Sequence, residues 1–322
     1  MDNITHTLTA VMLSRAGLNR LSPHATALLM LAANAPDLDI LSGLAGSAAE
    51  LQYHRGPTHS LVGLPIVALL VTVLARLVMR KNFSWGWVYL LSLAGVASNS
   101  LFDLTNMYGV RLLWPFSERW FNADFIPIVD LWIWLLLGLG LVAPLVSRMV
   151  SSEIGAKAGK GQGSAIFVLC LLALFGFGRY VQHERAVAVL DSRIYQGQAP
   201  LRVAAMPSFV NPFRWTGLVE GREFFEVFPN LDLLSDFDPA SGNVYYKPEP
   251  SPELARTREL AAFRAFLSFA QWPLWSVAPA AEPEGAVKVQ VVDLRFGASQ
   301  SHFAVSATLD AEGRVTQPSV RF

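Results

Sequence analysis

Four long apolar runs between residues 61 and 181 constrain this chain more than any other feature. Leu61 to Met79 is nineteen residues long and carries one charge, Arg76, near its end. Trp85 to Phe102, Leu131 to Ser147 and Ser164 to Val181 are comparable stretches. Each approaches the ~20 residues that cross a bilayer core. Four of them so close together would overfill a soluble core. Composition agrees: 52% of residues are hydrophobic and only 16% charged, against about 25% charged in ordinary soluble domains. The expected environment is therefore a lipid bilayer. Trp85, Trp87, Trp114, Trp120, Trp132, Trp134 and Tyr180 read as interfacial belts.

Charge excludes some partners. Twenty-five basic residues balance twenty-five acidic ones, so no basic field exists to hold nucleic acid. The single cysteine, Cys170, rules out a disulfide framework or a thiolate metal cluster and reads as a small buried hydrophobe.

The first 45 residues read as a short helix around Ile4–Leu13, a turn at Gly17–Arg20 and a return helix over His24–Leu41. The first pass is thus short or re-entrant. The start shows no basic segment followed by a cleavage pattern, so no signal peptide is expected. Basic residues cluster at the first turn (Arg15, Arg20), around one loop (Arg76, Arg80, Lys81) and around another (Arg148, Lys157, Lys160). The positive-inside rule places these three clusters in the cytoplasm. Loops 42–60 and 103–128, the N-terminus and everything after 182 then face the other side. Residues 148–163, rich in Gly, Ser and Lys, read as a flexible cytoplasmic loop.

The fold class expected is an α-helical integral membrane bundle of about five or six passes over 1–182. A small extracytoplasmic α+β domain follows over 183–322. In that domain, strands are expected at Glu220–Phe228, Asn243–Lys247, Val287–Phe296, His302–Leu309 and Val315–Phe322. A helix begins at Ser251-Pro252-Glu253, with a cap, a first-turn proline and an acid at the positive helix end. Its apolar stripe is Leu254, Leu260, Phe263, Phe266 and Leu267. No internal repeat is evident.

Chemistry-bearing residues concentrate early. Four of the six histidines precede residue 60. His54 and His59 sit in His54-Arg55-Gly56-Pro57-Thr58-His59-Ser60, Asp37 and Asp39 in Ala33-Asn34-Ala35-Pro36-Asp37-Leu38-Asp39, and Asp103 ends an apolar run. His6 lies near the start. The topology uses only Lys and Arg, yet it brings His6, Asp37, Asp39, His54, His59 and Asp103 to one face. Polar groups near membrane depth are costly unless paired or solvated. Imidazoles and carboxylates without thiolates suit a divalent transition metal, zinc first, with manganese or iron as alternatives. The spacing of His54 and His59 across Pro57 is by itself more often that of solvated or capping groups in a polar loop. Asp-x-Asp at 37–39 equally marks a helix end, and Asp39 equally suits orienting a ligand histidine.

These blocks, with the opening Met1-Asp2-Asn3-Ile4-Thr5-His6-Thr7-Leu8 and the segment Asp103-Leu104-Thr105-Asn106-Met107-Tyr108-Gly109, resemble the membrane-bound, metal-dependent hydrolase family (YdjM-like). That family includes a member described as a LexA-binding inner-membrane hydrolase. The resemblance covers roughly residues 1–180, and Val291-Val292-Asp293-Leu294-Arg295-Phe296-Gly297 resembles the extra domain of longer members. It implies a bacterial-type inner membrane and the polar set His6, Asp37, Asp39, His54, His59 and Asp103. The family histidine four residues before the last aspartate is here Asn99, a poorer ligand, which leaves one ligand missing, a second metal excluded, or a water oriented by the amide.

The function expected is metal-assisted hydrolysis at the outer membrane face. His6, Asp37, His54, His59 and Asp103 are the candidate ligands. Asp39 is the candidate base for a metal-activated water. Arg55 holds an anionic group such as phosphate, or alternatively pairs with Asp37 or a lipid headgroup. Location favours a phosphate-containing or lipid-like substrate. Asp124 and Asp130 are candidate supporting groups, Asp130 more simply a helix N-terminal charge. Two other classes compete: a non-catalytic membrane scaffold whose outer domain binds an unidentified protein partner, favoured by Asn99, and a transporter with an ion site at Asp103 and Asn99.

Overall fold

The computed structural model describes residues 1–78, 84–153, 161–280, 284–298 and 303–321. Arg80, Lys81, Lys157, Lys160, His302 and Phe322 lie outside these described residues. The chain divides into two units. The first is Met1–Leu38, Arg55–His183 and Pro207–Pro212; the second is Asp39–His54, Glu184–Met206 and Phe213–Phe322.

Helices come first in the chain: α1 (Asn3–Ala16), α2 (Ala25–Asn34), α3 (Ser47–Tyr53), α4 (Gly63–Val78), α5 (Trp85–Leu104), α6 (Leu131–Glu153) and α7 (Gln162–Asp191). Among the described residues, four stretches are long and apolar enough to cross a membrane: Ala25–Ala45, Trp85–Leu104, Leu131–Ser151 and Gln162–Asp191. A fifth arises if Ser47–His59 and Gly63–Val78 form one bent span. The 14-residue α1 rises about 21 Å at 1.5 Å per residue, short of a bilayer core of about 30 Å.

In the first unit, apolar faces of α1, α6 and α7 meet through Met12, Ile133, Leu137, Ala165 and Val168. A second cluster joins α1, α2, α4 and α5 through Ala10, Leu28, Leu29, Ala75, Val88 and Leu91. Helix α5 approaches α2 most closely at Gly95, where an added Cβ would lie 2.7 Å from the Ala32 methyl and 2.9 Å from the Leu29 carbonyl. Leu69, Leu70, Leu77, Leu139 and Leu145 point outward, which suits lipid as solvent. Cys170 is also exposed, correcting its expected burial: it lies on an outward face of α7. Trp85 and Trp87 are exposed, but Trp120 is buried against Tyr108 and under Arg111, so it packs rather than joining a belt. Gln162 bonds both Ala16 and Arg20, so the first turn lies beside the start of α7.

The second unit carries two antiparallel four-stranded sheets, each in sequence order. One is β1 (Arg202–Pro207), β2 (Arg214–Glu220), β3 (Phe224–Asp232) and β4 (Asn243–Tyr246); the other is β5 (Pro273–Pro279), β6 (Val287–Asp293), β7 (Ala304–Leu309) and β8 (Val315–Arg321). The single strand expected at Glu220–Phe228 is instead a hairpin turning after Glu220. Gly221 closes it through its N–H to the Phe224 carbonyl. Strands β1, β2 and β5 lack a clean alternation and were not expected. The helix expected after Ser251 is two, α8 (Pro252–Arg258) and α9 (Ala261–Phe269). Ser251 caps the first as expected. Leu254, Phe263, Phe266 and Phe269 are buried, whereas Leu267 is not, because it lies about 100° around α9 from the middle of the Phe263–Phe266–Phe269 face. Helix α3 packs on α9.

Asp293 and Arg295 form a fully buried ion pair at 2.7 Å. Asp293 also accepts the Gln271 N–H, and Arg295 donates to the Phe269 carbonyl and stacks on Phe269. One pair therefore ties the end of β6 to α9 and to the segment that leads into β5. Removing one partner of a buried pair strands the other charge. Asp293→Ala is expected to cost about 3–5 kcal/mol in denaturant unfolding of the detergent-solubilised chain, while Arg314→Ala, an exposed pair member, leaves the midpoint nearly unchanged.

Glu226 on β3 is buried and its Oε2 has no hydrogen-bond partner. Burial pushes its carboxyl above the usual range. The unfolded chain ionises this group first, so its contribution is full below the ordinary carboxylate pKa and is lost as pH rises through the raised folded value. Glu226→Gln should therefore raise the unfolding midpoint at neutral pH and flatten its decline from acid to neutral pH, measured by thermal unfolding across a pH series.

Candidate metal centre

Three local devices bring the polar residues of the first unit together. At the start, Asp2 caps α1 by accepting the Thr5 N–H at 2.9 Å, and Trp134 Nε1 donates to Asp2 and Thr5. The cap fixes the first turn, and His6 follows on the buried side of α1. Helix α2 ends at Asn34, where Pro36 offers no N–H to continue the α-helical ladder, and Ala35 stays helical at φ −64°, ψ −39°. A 3-10 segment, Pro36–Ala45, continues the chain. Residues i and i+2 lie about 120° apart around a 3-10 helix, on different faces. Asp37 and Asp39 accordingly point to different partners.

The second device is the loop before α4. Arg55 takes the left-handed conformation at φ 54°, and its carbonyl accepts the Arg111 N–H. Pro57–His59 makes one 3-10 turn. Ser60 Oγ accepts the Gly63 N–H and donates to the Pro57 carbonyl. A Cβ at Gly63 would lie 1.8 Å from that carbonyl oxygen, so only glycine lets α4 start this close to the loop. The third device is the end of α5, where Asp103 is followed by Asn106. Asn106 donates to Asp103 Oδ1 and its Oδ1 accepts the Tyr108 and Gly109 N–H groups.

These devices converge on one centre. His59 Nε2 lies 3.4 Å from Asp37 Oδ1 and 3.2 Å from Asp103 Oδ2. His6 Nε2 lies 3.9 Å from Asp37 Oδ2 and 3.6 Å from Asp103 Oδ1. His6, His59 and Asp103 are fully buried. Ligand atoms of His6, Asp37 and Asp103 all fall within 4.8 Å of one another, a grouping able to hold a metal ion. Neither ring nitrogen of His6 has a hydrogen-bond partner, and a buried imidazole without partners is costly. His59 Nδ1 pairs with Thr58 Oγ1 at 2.9 Å, leaving Nε2 to face the carboxylates, the kind of outer support that orients a ligand histidine. Two imidazoles, one of them without a hydrogen bond, and two carboxylates fit a divalent transition metal.

Asp103 also meets cations: Arg55 Nη2 is 3.1 Å from Oδ1, and the Met1 amino group contacts the same oxygen. Arg55 donates to Asn106 and stacks on Tyr108 at 4.7 Å. Its alternative pairing with Asp37 is thus replaced by pairing with Asp103. Asn99 Nδ2 donates to Asp37 Oδ2 and to the Ala33 carbonyl, both at 2.9 Å. The amide thereby holds Asp37 against the end of α2, and its own Oδ1 is buried without a partner.

Asp39 and His54 belong to the second unit and hold each other, Oδ1 to Nδ1, at 2.6 Å. Asp124 accepts from Asn122. Asp130 caps α6 through the Trp132 and Ile133 N–H groups, the simpler role expected for it. Sequence reasoning did not find Asn106 or Tyr108. Their signal was present in Asp103-x-x-Asn106 before Gly109, the spacing of a polar helix end.

If Asn99 positions Asp37, Asn99→Ala should weaken zinc affinity about 10–100-fold, measured by competition with a chromophoric chelator, with the folded helical signal retained.

A family model described as YdjM inner membrane protein matches residues 1–186. Among curated proteins, the uncharacterized protein YfhP of Bacillus subtilis (strain 168) is 27% identical over 146 residues, 42% of this chain and 43% of that protein. Inner membrane protein YbcI of Escherichia coli (strain K12) is 38% identical over 91 residues, 27% of this chain and 51% of that protein. The chain thus spans about half the length of these curated relatives. No solved structure matches.

Proposed function

The chain belongs to the YdjM inner membrane protein family, and from that premise we propose that it is a membrane-embedded, metal-dependent hydrolase acting on a phosphate-containing or lipid-like substrate. The observation that carries this reading is the buried convergence of His6 and His59 on Asp37 and Asp103, with both His6 nitrogens lacking hydrogen bonds. His6, His59, Asp37 and Asp103 would hold the ion, zinc first and manganese or iron next. When bound, such an ion supplies the Lewis acidity that makes water a nucleophile near neutral pH.

The chain's own residues do the rest. Thr58 holds His59 with Nε2 inward. Asn99 holds Asp37. Arg55 fixes a positive charge beside Asp103, and we assign to it the anionic part of the substrate. In the second unit, Asp39 and His54 hold each other. Their mutual hydrogen bond makes a carboxylate–imidazole couple able to take up and pass a proton. We further propose that the C-terminal domain expected over 183–322 lies outside the cytoplasm.

A second reading is favoured by one observation: Asp103 is already paired with Arg55 at 3.1 Å. A centre neutralised from within would brace the helices of a non-catalytic scaffold.

Metal analysis of protein purified in mild detergent without chelators separates the two. The hydrolase reading predicts about one or more ions per chain, lost in His6→Ala and Asp37→Asn variants that keep their helical signal. It further predicts that the loaded protein cleaves phosphate-containing lipids and that the metal-free His6→Ala variant does not. A metal-free wild type that also refuses added zinc and manganese contradicts it and supports the scaffold.

A further inference from the structure

Between α1, α5 and α7 the first unit holds a cavity of about 440 Å³. Leu13, Leu101, Phe102, Leu172, Phe177 and Tyr180 form much of its wall. Its polar wall groups are the hydroxyls of Thr9, Ser98 and Thr105 besides Tyr180. Ser98 is satisfied by the Gly95 carbonyl and Thr105 by the Phe102 carbonyl. Thr9 is 3% exposed and its Oγ1 has no hydrogen-bond partner. A buried hydroxyl without a partner is costly, most of all where no bulk water reaches.

Two contacts relate this cavity to the metal centre. Thr9 lies three residues after His6, on the same side of α1. Phe102, in the cavity wall, presents an edge contact to the His6 ring, with centroids 6.4 Å apart. On the other side Leu101 and Phe177 are 65% and 64% exposed, so the cavity is continuous with the outward apolar surface of membrane-length helices.

The dimensions choose the occupant. One turn of helix about 10 Å across and 5.4 Å tall fills roughly 420 Å³, so the cavity cannot seat a spanning partner helix. A hydrocarbon chain entering from the bilayer can thread it. We infer that this cavity is the acyl-chain site of the hydrolase proposed above, an inference that rests on that reading. The occupant is an acyl-ester lipid. Its tail lies among α1, α5 and α7, its ester carbonyl accepts a hydrogen bond from Thr9 Oγ1, and its headgroup lies toward His6.

The test is photolabelling of the full chain in nanodiscs by a phosphatidylethanolamine carrying a diazirine in mid-chain. Gly176 faces the cavity, and an added Cβ meets nothing closer than Ile126 Cδ1 at 4.0 Å, so Gly176→Phe fills the space without a backbone clash. The expected result is at least a fivefold loss of label from the peptides bearing Thr9 and Phe102. Label on the outward face of α6, Leu131–Glu153, serves as the annular-lipid control and stays constant. Thr9→Val should lower labelling by the ester lipid but not by its dialkyl-ether analogue. Metal content is read in the same samples. Gly176→Phe keeps its metal; Asp37→Asn loses it and still labels. Labelling at Thr9 and Phe102 that Gly176→Phe does not change overturns the cavity assignment, whatever the metal result. A metal-free wild type that labels as expected overturns the hydrolase reading instead and leaves a lipid-binding cavity.

Discussion

Asp103 is fully buried at the end of a membrane-length helix, and a bare carboxylate there is untenable. The arrangement around it answers that cost. Arg55 and Asn106 reach it from a loop and from the next turn, while His6 and His59 face it from α1 and from the turn before α4. Each partner needs its own backbone device: the Asp2 cap, the left-handed Arg55, the cramped Gly63, the polar end of α5. Asp37 enters because α2 stops at a proline. Asn99, on the α5 face that Gly95 brings against α2, then ties it down. Helix packing and site geometry are therefore one problem: a change that separates α2 from α5 also releases Asp37.

Much of this was legible in the residues. Apolar runs gave α4 to α7 because a membrane span is long and compositionally extreme. The polar blocks gave His6, Asp37, His59 and Asp103 because ionisable side chains beside such spans are rare. What spacing could not give was direction. Asp37 and Asp39 are two apart, yet the 3-10 turn sends one to the centre and the other to His54. His54 and His59 flank Pro57, and the left-handed Arg55 between them sends each to a different unit. Asn99 read as a missing ligand, a bar to a second metal or a holder of water, whereas its hydrogen bonds tie Asp37 to the end of α2.

The C-terminal unit was harder to read. Its two sheets contain short strands with mixed burial, as in β5, whose second half is exposed. Alternation is weak there, and a single expected strand became a hairpin at Gly221. Asp293 and Arg295 lay inside a recognised block, but only the structure shows that they form a buried pair binding the end of β6 to α9. Trp120 illustrates the same limit in the first unit. A tryptophan near a membrane reads as interfacial until its partners, Tyr108 and Arg111, are seen.

The central claim is that His6 and His59 converge with Asp37 and Asp103 to ligate one divalent ion. X-ray absorption at the zinc edge, on detergent-purified protein loaded with one equivalent of zinc, tests it most directly. The account predicts a first shell of nitrogen and oxygen near 2.0–2.2 Å with no sulfur, and outer-shell scattering from two imidazoles that falls to one in His59→Ala. A spectrum of hydrated zinc, or one unchanged by His59→Ala, contradicts it.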